Sequence, residues 1–484
     1  MSVRLRFAPS PTGYLHIGGL RTALFNYLYA KKMGGEFILR IEDTDRTRYV
    51  EGAVENLISA LEWSNVINDE GPKVIDGKLT EVGEYGPYTQ SKRLPIYKKY
   101  VDQLIESGHA YYCFCDKERL DNIRMERQIK GLVPKYDGFC RAIPLEEAKK
   151  RVEAGEEYVV RLKLPKNKDI VFDDLVRGKI TINTDDMDDQ VLLKSDGFPT
   201  YHMAVVVDDH LMGVTHIVRG EEWLPSTPKH VFLYEALGWE APKYVHLPTV
   251  LNKDRKKLSK RQGDVSVEDF RASGYLSEAL VNYLALLGWS PEGEEEIMDM
   301  DTMIKEFSFE RVSKTGGIFD LEKLNWINAH YIRNTENGKL LELAKEYLKE
   351  SLSIDDEEID NNREHYEIMM QAFKENANTL KELAEKCKLL KGGDYEIEED
   401  AKEWLESPDL PNLKAGIEKL LDGKELTREY AKEFMKELKT LTGVKGKNLF
   451  MPVRALLTGT AHGPEFDLCL YILGKEEILR RTRM

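Results

Sequence analysis

A short stretch near the start of the chain, residues 9–19, combines prolines, glycines and one histidine, His16, between two regular apolar patterns. The alternation before it predicts a strand, and the spacing after it predicts a helix. The N-terminus of such a helix offers free N–H groups and the positive end of the helix dipole, which suit a phosphate. His16 can add a hydrogen bond to a phosphate oxygen. The alternative is a plain Pro/Gly connection between a strand and a helix.

A second stretch with suitable chemistry lies late in the chain, where six of the nine residues 253–261 are basic. It follows residues 244–247, which have strand character, so it falls at the sheet edge where ligands bind. Lysine is a compact charge on a flexible stem that can follow a phosphate as negative charge builds up. The stretch therefore indicates either a mobile loop that grips phosphate or an ordinary solvated loop.

Acidic residues follow the second predicted strand. The first helix ends at Gly34 and Gly35, and an apolar strand over residues 37–41 comes next. Strand, helix and strand in this order form a right-handed crossover in a parallel sheet, so residues 42–45 share a sheet edge with His16. Two interpretations stay open: a carboxylate set that holds an ammonium group or a ribose, and a polar strand exit with a helix cap.

The composition limits the class of protein. A chain of 484 residues is too long for one core and predicts roughly three or more domains. Its 42% hydrophobic and 32% charged residues indicate a soluble globular protein, and no stretch is long and apolar enough to span a bilayer. The N-terminus enters a strand pattern without a basic and apolar leader. We therefore expect a cytoplasmic protein with no membrane contact.

The charge and the cysteines limit it further. A net charge of -15 weighs against a polyanionic partner, although a local basic patch can still bind nucleic acid. Five cysteines are few and odd in number, which indicates reduced thiols rather than a disulfide framework.

The pattern changes along the chain and predicts five segments. These are residues 1–110, 111–199, 200–264, 265–335 and 336–484. The first and third have an α/β pattern, and the apolar run at 200–209 predicts a buried strand. The second is charged and rich in strands and turns, as expected of an insertion in a crossover connection. The last two have helical spacing, and the final segment predicts all-helical bundles.

Two motifs together carry a family resemblance. His16-Ile-Gly18-Gly19 after the first strand and Lys257-Leu-Ser259-Lys260-Arg261 after a late one resemble the paired signatures of class I aminoacyl-tRNA synthetases. The flanking segments are similar to the bacterial glutamyl-tRNA synthetase family over essentially the whole chain, with the weakest likeness at about 340–440. They are Arg6-Phe-Ala-Pro9-Ser10-Pro-Thr-Gly13, Arg40-Ile-Glu42-Asp-Thr-Asp45, Pro199-Thr-Tyr201-His202, Val207-Asp-Asp-His210, Arg219-Gly-Glu-Glu222-Trp223 and Phe450-Met-Pro-Val-Arg454. Gly19 and Arg261 depart from the general class I pattern but are usual in the glutamate branch.

The resemblance implies a fold and an activity. The fold is a Rossmann-like parallel-sheet catalytic domain in two halves, 1–110 and 200–264, with an inserted α+β acceptor-binding domain at 111–199. A mostly helical stem-contact region at 265–335 and all-α anticodon-binding bundles at 336–484 follow. The activity joins L-glutamate to ATP, with Mg²⁺ on the phosphates, and transfers the glutamyl group to tRNA(Glu). Analogy with the family favours a monomer.

The resemblance also implies roles for individual residues. The catalytic residues are His16, Lys257 and Lys260. The ATP contacts are Pro9, Gly13, His16, Gly18, Gly19, Lys257, Ser259 and Lys260. Arg6 faces the side-chain carboxylate of glutamate, Glu42 its ammonium group and Arg219 its α-carboxylate, with hydroxyl contacts from Tyr201 and Ser10. These charge types match the substrate, and glutamine would leave Arg6 poorly paired.

Three cysteines in the predicted insertion raise a question about metal. Cys113, Cys115 and Cys140 resemble the zinc-binding insertion of some family members, but Ala142 stands where some relatives have a histidine ligand. Zinc prefers four ligands, and only Tyr136 or Asp137 could complete the set. Other members lack these cysteines, so we commit to no metal ligand and favour three unliganded buried thiols over Zn²⁺.

Several alternative functions are disfavoured by features of the sequence. A paralogue that glutamylates a modified base lacks the helical C-terminal half, and glutaminyl-tRNA synthetase is disfavoured by Arg6. A tRNA-binding protein without ligase activity would have damaged His16 or Lys260, which are intact. A small-molecule nucleotidyltransferase would have no use for roughly 150 residues of helical bundle. Whether tRNA(Gln) is also charged stays open, because anticodon contacts lie where the resemblance is weakest.

Overall fold

The computed structural model describes residues 2–258, 265–393 and 395–484, without the side chain of Arg46. It divides into two compact units. The first comprises Met1–Glu268 and Val281–Asp320, and the second comprises Asp269–Leu280 and Leu321–Met484. Each unit is described by itself below.

The first unit contains the strands. They are β1 (Arg4–Phe7), β2 (Glu36–Leu39), β3 (Gly71–Ile75), β4 (Lys78–Val82), β5 (Ala110–Cys113), β6 (Val159–Leu162), β7 (Asp169–Asp174), β8 (Gly178–Asn183), β9 (Val191–Leu193), β10 (His216–Gly220) and β11 (Lys243–Leu247). The helices up to the end of the unit are α1 (Ile17–Lys32), α2 (Ala53–Trp63), α3 (Leu94–Glu106), α4 (Lys117–Ile129), α5 (Leu145–Glu153), α6 (Tyr201–Leu211), α7 (Thr227–Leu237), α8 (Val267–Ala272), α9 (Ser277–Leu286) and α10 (Met300–Glu306). The boundary between the units falls within α8 and α9.

A six-stranded sheet organises the first unit, in the order β2-β1-β10-β11-β7-β8. All neighbours are parallel except β7 and β8, which form an antiparallel hairpin. The register sets Arg219 opposite His246 and Tyr244 opposite Asp174. The chain leaves β1 toward β2 on one side and returns to β10 on the other, so the ligand crevice lies at the carboxyl end of β1. The predicted α/β fold with a parallel sheet is confirmed.

A smaller antiparallel sheet, in the order β5-β6-β9, and the hairpin β3-β4 complete the strands. The strands β7 and β8 lie in sequence between β6 and β9, inside the segment predicted as an insertion, yet they pair with the large sheet. The pairing of β11 with β7 is thus long-range in sequence, and no local pattern predicts it. The five domain boundaries stay a prediction.

The prediction of a buried strand at 200–209 is wrong, because this segment forms the helix α6. Its residues from Met203 to Asp209 are all buried, in a core that α7 also lines. A helix that is enclosed on every side shows no amphipathic period, so its run of valines looks like a buried strand. Tertiary packing overrides the strand propensity of valine here.

The second unit is helical, as the spacing predicts for residues beyond 336. Its helices are α11 (Leu321–Asn334), α12 (Asn337–Leu352), α13 (Asp356–Asn361), α14 (Arg363–Phe373), α15 (Leu380–Cys387), α16 (Glu399–Leu405), α17 (Leu410–Leu421), α18 (Arg428–Thr442), α19 (Lys447–Thr458) and α20 (Phe466–Arg483), the last with a kink at Gly474. In α12 the buried residues Leu340, Leu341, Ala344 and Leu348 recur at helical spacing. None of the described helices has the length and apolar character that a membrane crossing requires.

Candidate active site

A cavity of about 990 Å³ opens at the carboxyl ends of β1 and β10, beside the N-terminus of α1. The predicted site residues that line it are Arg6, Ser10, His16, Gly18, Gly19, Glu42, Tyr201, Arg219 and Lys257. Pro9 and Gly13 are not among the lining residues, although the Pro9 carbonyl accepts a hydrogen bond from the Glu42 N–H at 3.0 Å. Ser259 and Lys260 lie outside the described residues. Nine of the predicted site residues, which come from separate motifs, thus line one cavity.

His16 caps α1 and thereby fixes its own proton. Its Nδ1 accepts the Gly18 N–H at 3.1 Å. In the neutral ring the proton is therefore on Nε2, which becomes the hydrogen-bond donor. A Cβ on Gly19 would lie 2.9 Å from the Leu15 side chain, so a larger residue would crowd the loop. The loop therefore presents an imidazole N–H donor beside the positive N-terminal end of α1.

The basic stretch reaches the same cavity through its described part. Residues 251–257 form a tight turn in which Leu251 bridges Lys257, and Arg255 has a φ of 59°. Lys257 and Leu258 line the cavity, and the Leu258 N–H donates to the Val250 carbonyl at 3.0 Å. On the far side of residues 259–264, the Val265 carbonyl accepts the Ile17 N–H at 3.0 Å. Both flanks of the lysine motif therefore adjoin the His16 loop.

A buried chain of alternating charges runs beneath the cavity. Arg6 Nε donates to Asp209 Oδ1 at 2.9 Å, and Arg40 Nη1 donates to the same oxygen at 2.7 Å. Arg40 Nη2 then donates to Glu42 Oε1 at 3.0 Å. All four side chains are buried. The two arginines and two carboxylates of this charge chain cancel, which makes their burial tolerable. One end of the charge chain, Arg6, is a cation and the other, Glu42, is an anion.

The two carboxyl groups of this chain differ in pKa. Burial raises the pKa of Glu42 above its ordinary value, although the charge of Arg40 opposes the shift. Burial also opposes ionisation of Asp209, but the charges of Arg6 and Arg40 outweigh it and hold the pKa of Asp209 below its ordinary value. The ionised form of Asp209 is thus favoured by its two arginines, whereas that of Glu42 would gain from a cationic ligand.

Arg40 and Asp209 are positioning residues that sequence reasoning did not assign. A second buried aspartate, Asp208, accepts from Arg93 Nε at 2.7 Å and from the Tyr97 hydroxyl at 2.8 Å, which anchors this end of α6. Two consecutive aspartates after an apolar run were the available signal, because buried aspartates need cationic partners. Their partners could not be named, since they come from β1, the end of β2 and α3.

Arg219, near the end of β10, also lines the cavity. It donates to the Tyr201 hydroxyl at 3.1 Å through Nη1 and to Thr227 Oγ1 at 2.8 Å through Nη2. The Tyr201 ring packs on Trp223, with ring centroids 4.1 Å apart. Burial raises the pKa of Tyr201, so its hydroxyl stays protonated and can donate to an anion. Arg219 and Tyr201 together form an anion-binding corner.

The cysteine cluster lies outside the cavity. The ligand atoms of Cys113, Cys115 and Cys140 all lie within 4.8 Å of one another, and Cys115 Sγ is 3.6 Å from Cys140 Sγ. The Tyr136 hydroxyl lies 3.4 Å and 3.5 Å from the sulfurs of Cys113 and Cys115, whereas Asp137 pairs with Arg119 at 2.8 Å. Tetrahedral zinc with 2.3 Å bonds places sulfurs about 3.8 Å apart. Three sulfurs and the Tyr136 oxygen therefore fit a four-coordinate zinc site.

The geometry can be compared with known proteins. Residues 2–326 match the family model described as tRNA synthetases class I (E and Q), catalytic domain. Residues 339–484 match the anticodon binding domain. The chain belongs to this class I synthetase family.

Synthetases of this family are similar to the chain over its whole length. The glutamate–tRNA ligases of Finegoldia magna and Clostridioides difficile are 57% and 53% identical, each over 99% of this chain and 98% of the relative. A crystal structure of a glutamate tRNA ligase from Elizabethkingia meningosepticum, in complex with its amino acid, has a TM-score of 0.89 and 39% identity. It covers 100% of this chain and 99% of that chain. The synthetase resemblance that the motifs predicted is confirmed.

Proposed function

We propose that this synthetase is a glutamate–tRNA ligase. It activates L-glutamate with ATP to glutamyl adenylate and transfers the glutamyl group to the 3′-terminal adenosine of tRNA(Glu). The observation that supports this most directly is the set of buried charges on one cavity: Arg6, Arg219 and Glu42. Two cations and one anion are the complement of a substrate with two carboxylates and one ammonium group.

We assign each charged group of glutamate to a residue of the cavity. Arg6 binds the side-chain carboxylate, and Glu42 at the other end of the chain binds the ammonium group. Arg219 and Tyr201 bind the α-carboxylate, and the Ser10 hydroxyl adds a contact. Arginine suits the position of Arg6 because its planar fork can bind both oxygens of a carboxylate. Asp209 and Arg40 hold Arg6 and Glu42 in place without touching the substrate.

We assign the ATP site to the His16 loop and the lysine motif. An oxygen of the α-carboxylate attacks the α-phosphorus, and pyrophosphate leaves with the bonding electron pair. His16, Lys257 and Lys260 stabilise the charge that builds up on the phosphates, and no covalent enzyme intermediate is required. Pro9, Gly13, Gly18, Gly19 and Ser259 complete the proposed ATP contacts. The flanks of the lysine motif, which adjoin the His16 loop, support this assignment.

Metal ions have two separate roles in the proposal. Within the described residues, the only group of three metal-binding side chains is the cysteine cluster. We propose that Mg²⁺ binds with ATP, where it would neutralise phosphate charge. The sequence disfavoured zinc, but the cluster geometry supports a structural zinc site at Cys113, Cys115, Cys140 and Tyr136.

The remaining segments receive roles in tRNA binding. Residues 111–199 would bind the acceptor end, 265–335 the stem, and 336–484 the anticodon, in a protein that works in the cytoplasm. The anticodon binding domain match over residues 339–484 supports the last assignment. tRNA(Gln) is a second candidate substrate.

Pyrophosphate exchange tests the proposed function. With tRNA(Glu) present, glutamate should support exchange between pyrophosphate and ATP, and glutamine and aspartate should not. Exchange with glutamine alone would identify a glutaminyl-tRNA synthetase, and tRNA binding without exchange would identify a binding protein. Aminoacylation of purified tRNA(Glu) and tRNA(Gln) side by side decides whether the second tRNA is a substrate.

A further inference from the structure

Arg219 is held by more buried groups than a simple anion contact requires. Besides Thr227 and Tyr201, its Nε donates to His246 Nε2 at 3.1 Å, and its Nη1 lies 3.3 Å from His230 Nδ1. His246, Thr227 and His230 are at most 1% exposed. In the described part of the chain, four of the five N–H groups of the Arg219 guanidinium thus face protein acceptors. The orientation of the guanidinium is fixed before any substrate arrives.

The protonation of His246 follows from its two neighbours. Arginine only donates hydrogen bonds, so the His246 nitrogen that faces Arg219 must be an acceptor. The proton is then on Nδ1, which lies 2.7 Å from Asp174 Oδ2. A protonated ring would place an N–H against an N–H of Arg219. Burial lowers the pKa of His246, which keeps the ring neutral.

Asp174 is itself held by the backbone. Its Oδ1 accepts the N–H groups of Val176 at 3.0 Å and Arg177 at 2.8 Å, and its Oδ2 accepts the His246 N–H at 3.1 Å. The order β10-β11-β7 in the sheet brings these side chains together. The backbone therefore fixes the Asp174 carboxylate, this carboxylate fixes the His246 ring, and the ring fixes the Arg219 guanidinium.

We infer that His246 is a positioning residue for the α-carboxylate of glutamate, which it serves by orienting Arg219 while Asp174 fixes its own tautomer. The inference rests on the proposed role of Arg219. Because the α-carboxylate is the nucleophile, the relay sets the approach of its oxygen to phosphorus. His246 itself touches no substrate atom.

Two substitutions distinguish the role of His246 Nδ1 from the role of Nε2. In His246→Asn the amide nitrogen can replace Nδ1 and donate to Asp174, but the acceptor of the Arg219 Nε–H is lost. In His246→Gln the longer side chain places an amide oxygen where Nε2 was. We expect His246→Asn to raise the KM for glutamate in tRNA-dependent pyrophosphate exchange by about tenfold, with the KM for ATP unchanged, since one charged hydrogen bond is lost. His246→Gln should recover most of this loss.

A truncated ligand shows which end of glutamate is affected. 4-Aminobutanoate keeps the ammonium group and the side-chain carboxylate but lacks the α-carboxylate, so its inhibition constant should be the same for His246→Asn and the wild type. Thr227→Val removes another acceptor of Arg219 and should give the same pattern, which maintains the test if His246→Asn does not fold. His216→Asn is the matched control, because His216 is a buried histidine on β10, the strand of Arg219, and contacts Thr215 instead of Arg219.

The outcomes are distinguishable. An unchanged KM for glutamate in His246→Asn and Thr227→Val, or equal weakening of glutamate and 4-aminobutanoate, would overturn the positioning role. Arg219→Gln reports on the proposed function separately, since it should weaken glutamate and spare 4-aminobutanoate. Equal weakening of both ligands by Arg219→Gln would overturn the assignment of Arg219 and the inference with it.

Discussion

The choice between glutamate and glutamine should depend on Arg6, and Arg6→Gln tests this. In the structure the Arg6 Nε–H is used by Asp209 and one Nη1–H by the Val218 carbonyl, at 2.9 Å and 3.4 Å. The remaining N–H groups suffice for two bonds to a carboxylate. A hydrogen bond to a charged group contributes about 1.5–3 kcal/mol, so two of them amount to about 3–6 kcal/mol. The expected loss in kcat/KM for glutamate is about 10²- to 10⁴-fold.

The assay compares the two amino acids in the same variant. Glutamine offers one acceptor and no charge, so its kcat/KM in tRNA-dependent pyrophosphate exchange should fall much less, and the ratio between the substrates should collapse. Arg4→Gln is the matched control. Arg4 lies on the same strand and pairs with Glu70 at 2.9 Å outside the cavity, so the ratio should not change. If Arg6→Gln lowered kcat/KM by the same factor for glutamate and glutamine, the role of Arg6 would be structural and the reasoning wrong.

Three further predictions follow from the site. Lys260→Ala should lower the rate of adenylate formation by about 10²- to 10³-fold with ATP affinity changed far less, and a variant that loses only ATP affinity would contradict the role. The KM for glutamate should rise as the pH falls through the raised pKa of Glu42, which lies above the ordinary 4.5, because only the carboxylate binds ammonium; a flat KM there would count against Glu42. Protein purified from zinc-supplemented medium should contain stoichiometric zinc by elemental analysis and Cys140→Ser should contain less, whereas a metal-free wild type would exclude the site.

The sequence predicted the parts of the site that are encoded locally. The His16 loop and Glu42 come shortly after β1 and β2, and Lys257 comes after β11 and a tight turn. Parallel strands bring their carboxyl ends to one edge. Alternating and helical periods, together with the glycines, were enough to place them. Nine of the predicted residues line one cavity, but Arg6, Tyr201 and Arg219 among them were predicted from the family resemblance and not from local periods.

What could not be predicted depends on partners distant in sequence. Arg40 and Asp209 are separated by 169 positions, and Asp174 and His246 by 72, so no spacing rule connects them. The α6 segment shows the other limit. Its valines are buried on every side, and a buried run has no period from which helix and strand can be distinguished.

The path of the chain between the two sheets of the first unit has a consequence for engineering. The chain makes β5 and β6 of the small sheet, crosses to the large sheet for β7 and β8, and returns for β9. The small sheet is therefore no detachable module: a deletion that removed residues 111–199 would take Asp174 and the outer edge of the large sheet with it. Grafting another domain at this place requires two separate cuts that spare Asp169–Asn183.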